Sequence, residues 1–240
     1  MKKATILLMV LAAWSAGLRQ ARAQDDVIKA GFINADLGAQ PQRQTITASS
    51  SFSLYDETAT VTDVQRIRNG AVFDVSAGIR IGHNLAAGVG FSQFGRSGTG
   101  AITASIPSPS FYDRPLIVAS GAADLAHTER AIHGRITYFL PVDDNFDLSV
   151  SGGPSLIHVT QGLATGITVT PGTQSVSLGN ETQSGNAIGF NGGIDANYML
   201  NPTIGIGLFV RYTYGKLDLP DVQGFKVGGL QGGLGLRARF

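Results

Sequence analysis

Eleven polar residues stand at every-second-residue positions in otherwise apolar or glycine-rich stretches: Asp74, Arg80, Glu129, His133, Arg135, Asp147, Asp195, Arg211, Gln231, Arg237 and Arg239. Two chemistries fit them. The first is local: His127, Glu129 and His133 share one face if residues 128–140 form a strand, stepping ~7 Å per two residues. That spacing admits a metal pair, or the histidine and acid of a serine hydrolase using a nearby serine. A triad is defined by geometry, however, and no serine here sits in a recognisable nucleophile motif. A closed metal site needs three or four well-placed ligands, which the spacing does not supply. The second chemistry is collective: acids and arginines on one concave face must neutralise one another when water is excluded. The sequence therefore favours an ion-pair network and assigns no catalytic residue, metal or cofactor. The chain has no cysteine, which excludes disulfide scaffolds, thiolate metal sites and cysteine nucleophiles.

The elements that must hold these residues are legible at the end of the chain. In Val227–Phe240 (VGGLQGGLGLRARF), Leu230, Leu234, Leu236, Ala238 and Phe240 alternate with Gln231, Gly233, Gly235, Arg237 and Arg239. Period two is the signature of a strand with one apolar and one polar face. A soluble sandwich and a transmembrane barrel both give this pattern, so the remaining chain decides.

Lys2 and Lys3, an apolar run from Ile6 to Ala13 and the small-x-small triplet Ala21-Arg22-Ala23 read as a signal peptide over 1–23. Its removal takes Lys2, Lys3, Arg19 and Arg22 from the 18 basic residues and nothing from the 17 acids, leaving a net charge of −3. No basic run survives, so no nucleic-acid partner is expected. The charged fraction is 15%, against ~25% in soluble domains, and 32 glycines are present. Both suit strands whose outer face meets lipid. No apolar stretch is long enough for a spanning helix.

Residues 24–44 show no clear period and read as a flexible periplasmic lead-in, with a barrel domain over 45–240. Within it, alternation marks strands at 45–54, 70–81, 85–94, 128–140, from Phe146, 190–200, 203–214 and 227–240. The register of the first beyond Tyr55 is open. Short connections at 82–84, 141–145 and 201–202 alternate with long ones at 55–69, 95–125, 161–186 and 215–225, the last but one tipped by Pro171-Gly172. Short periplasmic turns, long external loops and an even strand number characterise outer-membrane barrels. Outward aromatics beside the short turns (Tyr138, Phe146, Tyr198, Phe240) predict one interfacial girdle, and Tyr212 with Phe91 and Tyr214 a second. Phe209 is expected to cover Gly193. The predicted fold class is all-β: an eight-stranded antiparallel transmembrane up-and-down β-barrel in the cell outer membrane. Eight strands leave a bore that side chains just fill.

On these features the chain resembles the small outer-membrane β-barrel superfamily of OmpA- and OmpX-type proteins. Its terminal Gly235, Ala238 and Phe240 match that group's assembly signal, with a small residue at Ala238 where a larger apolar or aromatic one is usual. The resemblance implies recognition by the barrel-assembly machinery, a lipid and lipopolysaccharide environment and little about activity. The expected function is non-enzymatic, in envelope structure or surface interaction. Loops 95–125 and 161–186 would contact a surface ligand, the former through Phe111, Tyr112, Leu116, Ile117 and Val118. The alternatives are a narrow passive channel for small or amphipathic solutes and a lipid-modifying hydrolase.

Overall fold

The computed structural model describes residues 30–41, 44–67, 69–170, 175–219 and 222–240. The signal peptide and the Pro171-Gly172 tip lie outside the described residues. Ten strands follow in order: β1 Gly31–Gln40, β2 Gln44–Leu54, β3 Glu57–Ile67, β4 Gly70–Gly82, β5 Leu85–Ile106, β6 Leu116–Pro141, β7 Phe146–Thr170, β8 Ser175–Met199, β9 Ile204–Leu219 and β10 Val222–Arg239. All pairings are antiparallel, and eight strands close in the cycle β1-β4-β5-β6-β7-β8-β9-β10. The seam joins the first strand to the last, from Phe32 opposite Arg239 to Ala39 opposite Gly232. Ala30 and Gly31 both donate their N–H groups to the Phe240 carbonyl, at 2.6 and 2.7 Å.

Every barrel strand carries a large apolar side chain that is more than half exposed: Leu37, Ile79, Val89, Ile132, Leu156, Ile194, Leu208 and Leu234. A continuous apolar ring of this kind is untenable in water and belongs in hydrocarbon. Aromatic residues bound it. Tyr138, Tyr198 and Phe240 lie exposed near the short turns, with Phe146 half-buried opposite Tyr198. Phe190, Tyr212 and Phe91 mark the other edge. From Tyr198 up to Phe190 is ~27 Å of strand, which tilt shortens toward the ~25 Å apolar band of such barrels. The molecule is a transmembrane β-barrel, the architecture of the bacterial outer membrane.

Two assignments differ from the sequence reading. The first barrel strand is β1, inside the segment 24–44 read as a lead-in. Ile33, Leu37 and Ala39 face out while Phe32, Asp36 and Gln40 are buried, a period-two pattern as regular as any later one. The stretch 45–54, read as the first barrel strand, is instead the rising half of the β2–β3 hairpin. That hairpin stands outside the closed ring, pairing through β3 with the upper end of β5 (Thr60 opposite Ser105, Gln65 opposite Gly100). Its turn residues Tyr55 and Asp56 both have positive φ, 55° and 59°, the type I′ geometry that matches strand twist.

The long connections are built mostly of strand. The β5–β6 ladder continues to Ile106 opposite Leu116, and the β7–β8 ladder to Thr170 opposite Ser175. The reason is burial: Val61, Ile102, Ala104, Ile106 and Leu125 form an apolar cluster outside the membrane, against which Phe52, Leu54 and Val118 pack. Strands that bury a face there keep their ladder rather than fray into coil.

Candidate functional site: the barrel lumen

The side chains that alternate with the lipid-facing ones converge on the bore, in layers described here from the short-turn end upward. In the lowest layer Phe32 meets Phe139 edge-on at 5.5 Å, and the Arg239 guanidinium lies over Phe139 at 5.4 Å. Arg239 is paired with Asp147 at 2.6 Å. The Asn197 amide donates to Asp147 at 2.9 Å and its oxygen accepts from Arg237 Nε at 2.7 Å. Asn197 thereby couples this layer to the next.

The middle layer holds three aspartates and three arginines. Register places Asp36 directly opposite Asp74 on neighbouring strands, a like-charge pair that is unfavourable unless cations intervene. They do. Arg237 donates to Asp36 Oδ1 at 2.5 Å and to Asp195 Oδ1 at 3.0 Å. Arg135 makes a two-pronged contact with Asp74, at 3.1 and 2.7 Å. Arg211 lies 2.8 Å from Asp74 and 4.0 Å from Asp36, stacked on Phe209 at 5.3 Å. Fork-shaped guanidinium groups suit this task because each reaches two carboxylates at once. Glycine makes the layer possible. A Cβ on Gly207 would come within 2.6 Å of the Arg237 guanidinium, and one on Gly235 would overlap the Asp36 carboxylate. Gly235, expected in the assembly signal, thus also has a packing reason in the folded barrel.

Above this lies a neutral polar belt. Both ring nitrogens of His133 are taken by serine hydroxyls, Ser92 and Ser155, each at 2.8 Å. The Asn191 amide donates to Ser155 at 2.9 Å and reaches the carbonyls of Gly153 and Pro154 at 3.0 and 3.1 Å. Pro154 has no N–H, and the β6–β7 ladder skips a rung there, between Ser155 and Gly152. Asn191 therefore satisfies carbonyls that the interrupted ladder leaves without a donor. Gln231 donates to Gln40 at 2.9 Å, and Gln40 to the carbonyl of Gly228 at 3.2 Å. Higher still, Glu129 accepts the Gly228 N–H at 2.9 Å and lies 2.8 Å from His127 Nε2. The other His127 nitrogen is 2.7 Å from Gln161. Gly228 has φ of +86°, a conformation that favours glycine and turns its N–H toward the carboxylate.

The uppermost filling is apolar. Val72, Phe94, Ile157, Val159, Leu163, Leu217, Leu219, Phe225 and Val227 are buried together, with Phe94 and Phe225 set edge-on to the His127 ring. The bore thus carries a charged middle beneath an apolar cap.

The structure joins Asp74, Arg135, Asp147, Asp195, Arg211, Arg237 and Arg239 into one network. It separates the other expected members. Arg80, expected inside, is exposed near the short turns, because it sits two rungs below the last buried side chain of β4. Glu129 bonds a histidine and a backbone N–H rather than an arginine. His133 is held by serines and Gln231 by a glutamine. Phe209 reaches over Gly38, not Gly193. The set His127, Glu129 and His133 is not one site, since His127 and His133 have different partners. Among the described residues no group of three or more metal-ligating side chains converges. The sequence reading missed Asp36 and Gln40, both fully buried, through treating residues 24–44 as aperiodic. The signal was there, in the alternation of Phe32, Asn34, Asp36, Gly38 and Gln40 with Ile33, Ala35, Leu37 and Ala39.

No protein-family model matches the chain, and no curated protein matches it. Among solved structures it is similar to Neisserial surface protein A, at 17% identity and a TM-score of 0.48, over 88% of this chain and 97% of that one. It is also similar to the outer membrane protein OprG from Pseudomonas aeruginosa, at 10% identity and 0.48, over 90% and 100%. The third is the outer membrane protease OmpT from Escherichia coli, at 9% identity and 0.45, over 87% and 97%. By its own ring of eight strands, lipid-facing exterior and side-chain-filled bore, the chain has the architecture of the small outer-membrane β-barrels of OmpA and OmpX type.

Proposed function

We propose that this protein is a plugged, non-catalytic outer-membrane barrel that works at the cell surface through its external β extension. The observation that carries the reading is the middle layer of the lumen, where three arginines balance three aspartates across the bore. Each charge is bonded to an opposite one, and the apolar cap above excludes water from them. Desolvated pairs of this kind belong to a structural plug; a conducting path would leave the same groups hydrated. The external face, by contrast, is elaborate. Phe111, Tyr112 and Ile117 are strongly exposed at and beside the 107–115 connection. That connection is tied to the neighbouring hairpin, where Glu57 accepts the Asp113 N–H at 2.7 Å. A rigid barrel holding a braced, partly apolar tip is suited to contact rather than passage.

Planar-bilayer recording of the purified, folded protein tests the proposal. The expected result is no steady conductance. Reproducible ohmic steps, with ion selectivity changed by Asp195→Ala, would replace the plug with a narrow channel.

A further inference from the structure

Strand β2 has one satisfied edge and one open one. It pairs with β3 throughout, from Gln44 opposite Ile67 to Leu54 opposite Glu57. Among the described residues no strand forms a ladder with its other edge, although β10 passes close by. The type I′ turn closes on Leu54 and Glu57, which exchange their backbone hydrogen bonds. Antiparallel rungs then alternate, so Ser53, Ser51, Ser49, Thr47 and Thr45 turn their N–H and C=O groups toward the open side. The side chains of the same five residues are exposed.

Open edges are normally blunted by charge, proline, glycine or a bulge. The other described external edges follow that rule. The upper part of β6 carries Asp124, that of β8 Glu181, that of β9 Lys216 and Asp218, and that of β10 Lys226. The upper part of β7 is interrupted by a register shift between Ala164 and Gly166. β2, with the sequence QTITASSSFSL, has no charge, proline, glycine or bulge over eleven residues.

We infer that β2 is a self-association edge that pairs antiparallel with β2 of a second copy standing in an opposing membrane. Two features select that occupant. An uncharged strand is self-complementary: a two-fold axis brings serine and threonine against serine and threonine, with no like charges meeting. Direction fixes the membrane. β2 continues β1 away from the bilayer, so two copies in one membrane present parallel edges. Antiparallel pairing of two such strands puts their barrels at opposite ends of the joint. The contact therefore bridges facing membranes. This inference rests on the surface-contact reading above and names its partner.

The test uses the full mature chain reconstituted into phosphatidylcholine vesicles, with clustering read by light scattering and by co-sedimentation of two fluorescent vesicle populations. Parent vesicles are expected to cluster. Ser51→Pro removes an outward N–H without touching the β2–β3 ladder and should reduce clustering to the level of protein-free vesicles. The double variants S49K/S51K and S49E/S51E should each fail to cluster alone but cluster when mixed. Heat-dependent gel mobility of each variant verifies that the barrel is folded. Dispersed parent vesicles, or clustering that survives both Ser51→Pro and S49K/S51K, would overturn the inference. A conductance in the bilayer experiment would sink the plug reading independently of this result.

Discussion

Asp36 is the residue on which the lumen depends most. It lies fully buried opposite Asp74, and the Arg237 fork joins it to Asp195 across the seam. Removing one member of a buried pair strands the other charge, typically at ~3–5 kcal/mol. Asp36→Ala should therefore shift urea unfolding of the micelle-solubilised barrel, followed by unheated gel mobility, to markedly lower denaturant. Arg80→Ala at the exposed rim should leave the midpoint nearly unchanged. Equal effects would mean that the middle layer is hydrated. The contrast also shows what single residues revealed in the sequence. Alternation placed Asp74, Arg135, Asp195 and Arg211 on the inner face correctly, because period two is local. It could not tell that Arg80 lies below the buried zone, since depth depends on where neighbouring strands end. Nor could it foresee the serine partners of His133, which arrive from strands 41 and 22 residues away.

At the level of elements, the barrel and its extension are separable. The ring closes through β1 and β4 (Gly31 opposite Ile79, Gln40 opposite Gly70) without help from the hairpin between them. Replacing residues 44–67 by a tight turn should therefore leave a folded barrel with heat-dependent mobility, while abolishing vesicle clustering. Failure to fold would return 45–54 to the ring, where sequence alone had put it. That misplacement has a physical cause. Thr45–Leu54 alternates as cleanly as a membrane strand does, because it too buries one face, against Val61 and Ile102. Periodicity reports that a face is covered, not whether lipid or solvent lies on the other side. Composition could have helped: the outward positions of β2 are Thr and Ser, whereas those of β1 are Ile33, Ala35, Leu37 and Ala39.

For the whole molecule, the strand number, the alternation of short and long connections and the lipid-facing exterior were all legible, because each follows from repeated local patterns. The continuation of strands far beyond the membrane was not, since Gly, Ser and Thr in 95–125 and 161–186 resemble coil when their cross-strand partners are unknown. The folded protein in detergent is expected to migrate differently on gels before and after boiling. A single unchanged mobility would contradict a closed ring.

The seam has a consequence for the order of events in assembly. Asp36 and Arg237 are 201 residues apart, and their contact forms only when the first strand meets the last. Closure over so long a loop is entropically costly and slow. Until it happens, the arginine on the last strand lacks one of its two carboxylates, and the open edges of β1 and β10 expose both backbone and charge. The ion pair therefore works as a completion signal written into the chain: an unsealed barrel remains electrostatically unfinished, and sealing neutralises it in one step.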